Sequence, residues 1–309
     1  MAVTETEVLA GLHLGDLANT GAGDLFLSQL ENADPAWNPE ILSVIPAGHT
    51  HPLFVGIQSR KEEIPFTTGQ VAGVIARLGN YGVNVSPSKL YYRTMQNLSG
   101  LAAVDGEVHS IFTATKAMAY PVSLTAGHRK QAQIRGQLLP VFDGTNEPLV
   151  RVGDGDIVDD PTAAEVFELG PIVVPTATIL EGCDNLDIQW NPQVTELADG
   201  SVKKTTFAGL MSIAPVITFT STDRDVGDLE GPIEGVKIHL VRMKHMDESY
   251  ASNLAQHILI TVPKGVLVKS GKQDAPSAYR MELHCSGDAT DGWGGNPITW
   301  TVNTAFSLT

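Results

Sequence analysis

Strict alternation of apolar and polar residues is the pattern that most constrains how this chain can fold. In the clearest segment, Leu186, Ile188 and Trp190 occupy one phase of the alternation. Asp187 and Gln189 occupy the other phase. A period of two residues places each phase on one face of a β-strand, so this segment is predicted to be a half-buried strand. Sheets built from such strands are antiparallel and have one face in water.

The same alternation recurs in the second half of the chain and sets the predicted fold class. Apolar rows of this kind occur at 216–220, 236–240, 258–262, 279–285 and 298–302. Long helical periodicity is absent, and the helical candidates are two short segments, 24–32 and 247–256. The apolar residues of 71–78 are interpreted as the first β signal of the core. The sequence therefore predicts a mainly β protein, an antiparallel β-sandwich or barrel with one or two short helices.

The first 68 residues differ from the rest because glycines and prolines interrupt every apolar run. Residues 1–68 are predicted to be an extended N-terminal arm or long loop, and 69–309 the β-sandwich or barrel core. The acidic, turn-rich segment 154–175 is a possible seam between two β halves. A flexible linker would not carry large apolar side chains, so those of the arm are expected to pack on a neighbouring subunit. The candidates for this interface are Trp37, Ile41, Val44, Leu53, Phe54 and Ile57.

The charge balance limits the possible partners. The chain has 35 acidic and 20 basic residues, a formal net charge of −15. Such a chain repels phosphates, which argues against a protein that grips DNA or RNA but allows one that lets nucleic acid pass. No apolar run approaches the roughly 20 residues that span a bilayer, and the first residues do not resemble a signal peptide. We therefore expect synthesis in a cytoplasm and no membrane insertion.

Candidate metal and sugar sites are weak. His49 and His51 could offer two imidazoles to a metal, but no third ligand is near in sequence. The acidic segment 154–165 resembles a calcium loop only in part, because Val158 and Asp159 stand where the fifth and sixth loop positions require an acidic ligand and glycine. Trp293, in a glycine-rich turn, could stack on a sugar ring.

Catalytic chemistry is not indicated. His239, His245, His257 and His284 could be combined with Asp223 or Asp225 into a hydrolase, but no nucleophile motif accompanies them. The sequence predicts no enzyme and no catalytic, cofactor or metal residues. Cys183 and Cys285 are the only cysteines, and spacing alone does not show whether they form a disulfide or remain two free thiols.

Four segments resemble a known class of proteins. The segments FDGTNEPL at 142–149, VFELGPIV at 166–173, EGCDNLDI at 181–188 and SIAPVITF at 212–219 resemble the major tail tube proteins of long-tailed bacteriophages. The resemblance extends over residues 69–286. The chain departs from that family in its longer, more apolar N-terminal arm and in its lack of a single helix of the expected length.

The resemblance implies a structural protein of the virion tail, without a cofactor, that assembles with itself. Six copies would close into a ring, and rings would stack into a tube with an acidic lumen through which DNA passes without specific binding. The implied further partners are the tail terminator, tape measure and distal tail proteins. Candidates for the lumen surface are Asp187, Gln189 and Glu196. The alternative is a β-sandwich that decorates a capsid or binds glycans through the Trp293 loop.

Overall fold

The chain folds into antiparallel β-sheets and one helix, which confirms the predicted fold class. The computed structural model describes residues 6–16, 24–95, 109–155, 157, 166–175, 178–180, 182–198, 203–223, 229–243, 257–274, 277–287 and 295–304. The elements in chain order are β1 (Thr6–Leu14), β2 (Leu25–Leu27), β3 (Leu30–Ala33), β4 (Ala36–Val44), β5 (Phe54–Thr68), α1 (Val71–Leu78), β6 (Val83–Val85), β7 (Ser88–Met95), β8 (His109–Ala114), β9 (Ala117–Gly127), β10 (Lys130–Pro140), β11 (Val150–Gly155), β12 (Phe167–Val174), β13 (Thr178–Leu180), β14 (Asn185–Gln189), β15 (Gln193–Ala198), β16 (Thr205–Ser212), β17 (Val216–Ser221), β18 (Gly231–Arg242), β19 (His257–Asp274), β20 (Ser277–Ser286) and β21 (Thr299–Thr304).

The strands form three sheets. The large sheet has the order β13-β12-β18-β19-β20-β17-β14-β9-β10-β5-β3, with β21 paired to β19, β4 to β5 and β6 to β9. The small sheet has the order β11-β8-β7-β1-β2, and β15 and β16 form a separate hairpin. The large sheet curls until β12 lies close to β9 and β10. Among the described strands, β12 is not hydrogen-bonded to β9 or β10. Within the described strands it forms a sandwich and does not close into a barrel.

One continuous apolar core lies between the two larger sheets. It includes Leu12 and Leu90 from the small sheet and Leu124, Ile188 and Ile260 from the large one. The alternation predicted for β14 is confirmed, because Leu186, Ile188 and Trp190 are buried while Asp187 and Gln189 are only partly covered. Burial of one phase of each strand against the opposite sheet is the main stabilising contribution to this fold.

The helix α1 corrects the interpretation of 71–78 as strand. Its apolar residues Val71, Val74, Ile75 and Leu78 recur at helical spacing, and all four are buried against the core. Gly79 and Gly82 follow with positive φ angles of 55° and 71°, which end the helix and turn the chain back into β6. α1 is the one helix in the described part of the chain, and the candidate at 247–256 lies outside that part.

The structure also differs from the expectation for residues 1–68. The proposed short helix at 24–32 is wrong, because β2 pairs with β1 and β3 pairs with β5. Leu12 and Leu14 of β1 are fully buried, so the first strands belong to the core. The part of 1–68 that projects from the core as an arm is the hairpin of β4 and the first half of β5. At the other expected boundary, 154–175, the chain leaves the small sheet after β11 and enters the large sheet at β12.

Candidate assembly surface

Among the described residues, the largest group of exposed apolar side chains lies on a β-hairpin, named here the arm hairpin, formed by β4 and residues 54–63 of β5. Its register pairs Ile41 with Ile57 and Val44 with Phe54, and a β-bulge between Glu40 and Ile41 precedes the regular pairing that leads to the turn at 45–53. Nine large apolar side chains of this hairpin are at least 40% exposed: Trp37, Ile41, Leu42, Val44, Ile45, Leu53, Phe54, Val55 and Ile57. They include all six side chains that the sequence suggested for a subunit interface.

Both faces of the arm hairpin are apolar. Residues directly opposite each other in an antiparallel pair project on the same side, and neighbours along a strand project on opposite sides. Leu42, Val44 and Phe54 therefore share one face, while Ile41 and Ile57 share the other. A sheet lying on the core has one apolar face, whereas this hairpin presents two to solvent.

The distal part of the arm hairpin, residues 41–57, is also free of formal charge. Residues 41–57 contain no Asp, Glu, Lys or Arg, in a chain where charged residues make up 18%. Monomeric proteins usually protect exposed strands with charges, because unprotected strands associate. A hairpin of this composition is typical of an association surface.

An aromatic cluster fixes the root of the arm hairpin to the small sheet. The ring of Trp37 lies 5.8 Å from that of Phe112 on β8, and the Tyr92 ring contacts the other side of Phe112 at 5.8 Å. The Arg151 guanidinium lies 5.9 Å from the centre of the Phe112 ring. The Tyr92 hydroxyl donates a hydrogen bond to the carbonyl oxygen of Ala33 at 2.7 Å, just before β4 begins. Trp37 therefore anchors the arm, although 40% of its surface remains exposed.

The hairpin of β15 and β16, named here the second hairpin, is joined to the root of the arm hairpin. The Lys61 ammonium contacts the Glu196 carboxylate at 2.6 Å. The Arg60 amide donates to the carbonyl oxygen of Lys203 at 2.9 Å, and the Lys203 ammonium donates to the carbonyl oxygen of Ile57 at 2.7 Å. Three polar contacts thus hold the two hairpins side by side.

Charged side chains of both signs meet at this junction. The buried Glu62 carboxylate lies 2.7 Å from the Arg60 guanidinium. Burial raises the pKa of Glu62, the charge of Arg60 opposes that effect, and the charge of Glu147 adds to it. Burial of Lys61 disfavours its charge, but the hydrogen bond and charge of Glu196 and the charge of Glu63 outweigh it, so the pKa of Lys61 is raised. The junction therefore favours the ion pair between Lys61 and Glu196.

The second hairpin also has one covered and one exposed face. Ala208 and Leu210 pack on a small apolar cluster formed by Met118, Tyr120, Leu139 and Val141 of the large sheet and its continuation. Leu197, Phe207 and Met211 lie on the opposite side and are 56%, 53% and 71% exposed. The sequence analysis did not identify this surface, because alternation predicts two faces but not which neighbours cover them. The uncharged apolar run from Phe207 to Met211 was the available signal.

Two of the three residues suggested for a lumen share one sheet face. Asp187 and Gln189 both lie on the partly covered face of β14. Glu196 lies on the second hairpin, where it pairs with Lys61. Residues that lie opposite each other on neighbouring strands form rows across this face. The row through Asp187 consists of Gln133, Thr125, Asp187, Thr218 and Glu282. The row through Gln189 consists of Arg135, Ser123, Gln189, Val216 and His284.

This face is polar and of mixed charge. A shallow depression of about 710 Å³ lies over it and is bordered by Lys130, Asp184, Asp187 and Arg280. The Asp187 carboxylate accepts two hydrogen bonds from the amide of Gln189, at 2.8 and 3.0 Å. The face is therefore hydrated and carries both signs of charge, rather than acidic groups alone.

The other candidate sites do not assemble into clusters. The rings of His49 and His51 lie 6.2 Å apart in the turn of the arm hairpin, and the described residues contain no group of three side chains that could hold a metal ion. The described start of the acidic segment, 154–155, is the end of strand β11, and most of the rest of it lies outside the described residues. Trp293 also lies outside them, as do His245 and Asp225.

The other histidines considered for catalysis, His239, His257 and His284, do not form one cluster. Burial lowers the pKa of His239, and the charge of the nearby His257 lowers it further. His284 pairs with Val266, nine residues along β19 from His257, a distance of roughly 30 Å in an extended strand. His284 is thus not brought to the other two.

The two cysteines are free and half-buried. Burial raises the pKa of the Cys183 thiol to about 11 and that of Cys285 to about 12. Because the thiolate is the reactive form, these raised pKa values slow the reaction of both thiols at neutral pH.

Comparison with known proteins identifies no family for this chain. No protein-family profile matches the chain, and no curated protein is significantly similar to it. No helix among the described residues is long and apolar enough to cross a bilayer.

Proposed function

We propose that this protein is a structural subunit whose copies assemble with each other through the arm hairpin. The observation that carries the proposal is that nine of the seventeen exposed large apolar side chains of the described chain lie on one hairpin, whose residues 41–57 carry no formal charge. A two-stranded hairpin without a covering layer is marginally stable in water. Association would bury both of its faces and stabilise it.

The available area fits a contact between proteins. Nine side chains of this size, each about half exposed, offer on the order of 700 Å² of apolar surface, close to the about 800 Å² per partner of a standard interface. The largest apolar patch on a typical monomer is smaller, roughly 300–600 Å². Burial of several such side chains contributes about 1.5–3 kcal/mol each before the cost of association is subtracted.

The charge distribution favours a second copy as the partner. Two copies each carrying −15 repel, so close approach requires surfaces without charge. The arm hairpin is such a surface on every copy. A contact between an arm and a different surface of the next copy is head-to-tail, and it closes into a ring when its rotation closes.

The specific form that we propose is a tail tube of the kind found in long-tailed bacteriophages, with six copies in each ring and rings stacked in the virion tail. A mainly antiparallel sandwich, a short helix and an exposed arm support this form, as does the resemblance of segments within 69–286 to tail tube proteins. In such a tube, the face that carries Asp187 and Gln189 would border the passage for DNA. The protein would act without catalysis, and its further partners would be the tail terminator, tape measure and distal tail proteins.

The test combines light scattering with negative-stain imaging of the purified chain and of two arm variants. Phe54→Lys and Ile57→Lys each place a charge on one face of the arm hairpin. Burial of an unpaired charge costs several kcal/mol, so each variant should weaken assembly by about 100-fold or more. Because both sites are exposed, the free energy of unfolding of the monomer should change by about 0.5 kcal/mol or less. We expect rings or tubes for the wild-type chain and monomers for the variants.

The matched control is Val266→Lys, which makes the same kind of change at a valine that is 45% exposed on β19, a strand that pairs with neither hairpin. This variant should assemble like the wild type. A wild-type chain that stays monomeric at high concentration, or arm variants that assemble normally, would overturn the proposal. Binding of the wild-type monomer to neutral vesicles, lost in Phe54→Lys, would instead identify the arm as a membrane-contacting hairpin.

A further inference from the structure

The second hairpin carries an apolar surface that the arm contact does not account for. Leu197, Phe207 and Met211 lie on its outward face and are among the most exposed large apolar side chains of the described chain, with Met211 at 71%. Leu197 and Phe207 are directly opposite each other in the register, so they form one patch. The one charged residue within the two strands is Glu196, and its carboxylate forms an ion pair with Lys61 of the arm hairpin.

The two hairpins share a local arrangement. A Cβ added at Gly56 would come within 2.9 Å of the Phe54 ring, and a Cβ added at Gly209 would come within 2.9 Å of the Phe207 ring. In each hairpin, a phenylalanine therefore folds over the glycine two residues later on the same face. This contact places each ring against the strand, which reduces the side-chain entropy lost when a partner covers it.

We infer that the second hairpin is a second contact element for another copy of this chain, and that it forms one composite surface with the arm hairpin. The inference rests on the proposed function. Arg60, near the root of the arm hairpin, and Lys203, at the turn end of the second hairpin, join the two backbones, and Lys61 and Glu196 join their side chains. The relative position of the two apolar patches is therefore fixed before a partner arrives.

Area and charge both identify a second copy as the occupant. The arm hairpin alone offers slightly less apolar surface than a standard interface, and three further side chains bring the total to on the order of 900 Å² per copy. The composite surface has little net charge, since Glu196 is paired, whereas the whole chain carries −15. A like-charged copy can approach this region of the molecule with the least repulsion.

Single introduced cysteines test the inference, and the wild-type chain measures the background reaction of the two native, partly buried thiols. In otherwise wild-type chains, Met211→Cys and, separately, Val266→Cys supply one reactive thiol each. Maleimide labelling at 211 should be at least tenfold slower in the assembly than in the dilute monomer, and labelling at 266 should not change.

Charge substitution provides the second measurement and separates this inference from the proposed function. Phe207→Lys should weaken assembly by at least tenfold, while the melting temperature of the monomer stays within experimental error of the wild type. If Phe207→Lys assembles normally and position 211 is labelled equally fast in the assembly and in the monomer, the second hairpin is not a contact. Phe54→Lys tests the arm contact separately. If Phe54→Lys also assembles normally, the proposed function fails with it.

Discussion

At the scale of single residues, Asn80 determines how three distant parts of the chain meet. Its side-chain oxygen accepts hydrogen bonds from the indole nitrogens of Trp190 at 3.2 Å and Trp300 at 2.9 Å. Its amide nitrogen donates to the carbonyl oxygen of Ile298 at 2.5 Å. The two indole rings stack, with centres 5.7 Å apart and planes inclined by 19°. One buried amide thus ties the end of helix α1 to β14 and β21.

We predict that Asn80→Ala destabilises the monomer by about 2–4 kcal/mol. The substitution leaves the indole N–H of Trp190 without its acceptor in a buried site, and the loss of each such partner costs about 1–3 kcal/mol. Urea unfolding followed by tryptophan fluorescence measures the change, and near-ultraviolet circular dichroism reports whether the rings remain stacked. Asn84→Ala, at an exposed asparagine four residues later, is the control and should change stability by about 0.5 kcal/mol or less. Equal stability of the two variants would show that Asn80 does not hold this junction.

At the scale of elements, the arm hairpin combines weak local stability with a prepared contact face. Its strands pair only with each other along residues 41–57, and the core supports them at the root alone. The contact between Phe54 and Gly56 orders one large side chain before any partner binds. A substitution that displaces this ring therefore separates the effect of preorganisation from that of apolar area.

We predict that Gly56→Ala weakens assembly by about threefold to tenfold, which corresponds to about 0.6–1.4 kcal/mol, without destabilising the monomer. The added methyl group would push the Phe54 ring away from the strand, while replacement of a strand glycine by alanine slightly favours the extended chain. The concentration at half-assembly, measured by light scattering, gives the effect. Gly48→Ala, in the turn where an added Cβ meets no neighbour, is a control for glycine loss, although its φ of 85° adds local strain. Unchanged or tighter assembly of Gly56→Ala would contradict the role of the ring.

Sequence alone predicted the elements whose pattern depends on burial of one face. The alternation of β14, β17 and β19 is confirmed, since each apolar phase faces the core. Two short elements were misinterpreted. Residues 71–78 have apolar residues at helical spacing and form a helix, although the neighbouring strands favour a strand there. Residues 24–32 include two strands rather than a helix, because β1 and β5 supply their pairing partners. In short segments such tertiary contacts override local preference.

The candidate surface was predictable in composition but not in shape. Six apolar arm residues were identified because glycine and proline break the runs around them, and all six are exposed in the structure. That they belong to a hairpin, rather than to a loop, depends on the register between β4 and β5. The exposure of Phe207 and Met211 could not be read from the sequence, because it depends on which side of the second hairpin meets the large sheet.

At the scale of the whole molecule, the acidic charge and the apolar arm act in opposite directions on association. The net charge of −15 keeps copies apart, and the arm hairpin draws them together once they are close. Salt reduces the first effect, because the Debye length falls from about 30 Å at 0.01 M to about 3 Å at 1 M ionic strength. It does not weaken apolar contacts. The ion pair between Lys61 and Glu196 is internal to one copy, so its screening removes no contact between copies.

We therefore predict that assembly strengthens by about tenfold or more between about 0.01 M and 0.5 M sodium chloride, as expected when roughly 1.4 kcal/mol of repulsion is screened. Sedimentation velocity at several protein concentrations gives the concentration at half-assembly for each salt condition. Phe54→Lys should remain monomeric throughout this range, which distinguishes association through the arm from salting-out. Assembly that dissolves as salt is added would mean that ion pairs between copies, and not the uncharged hairpins, hold the subunits together.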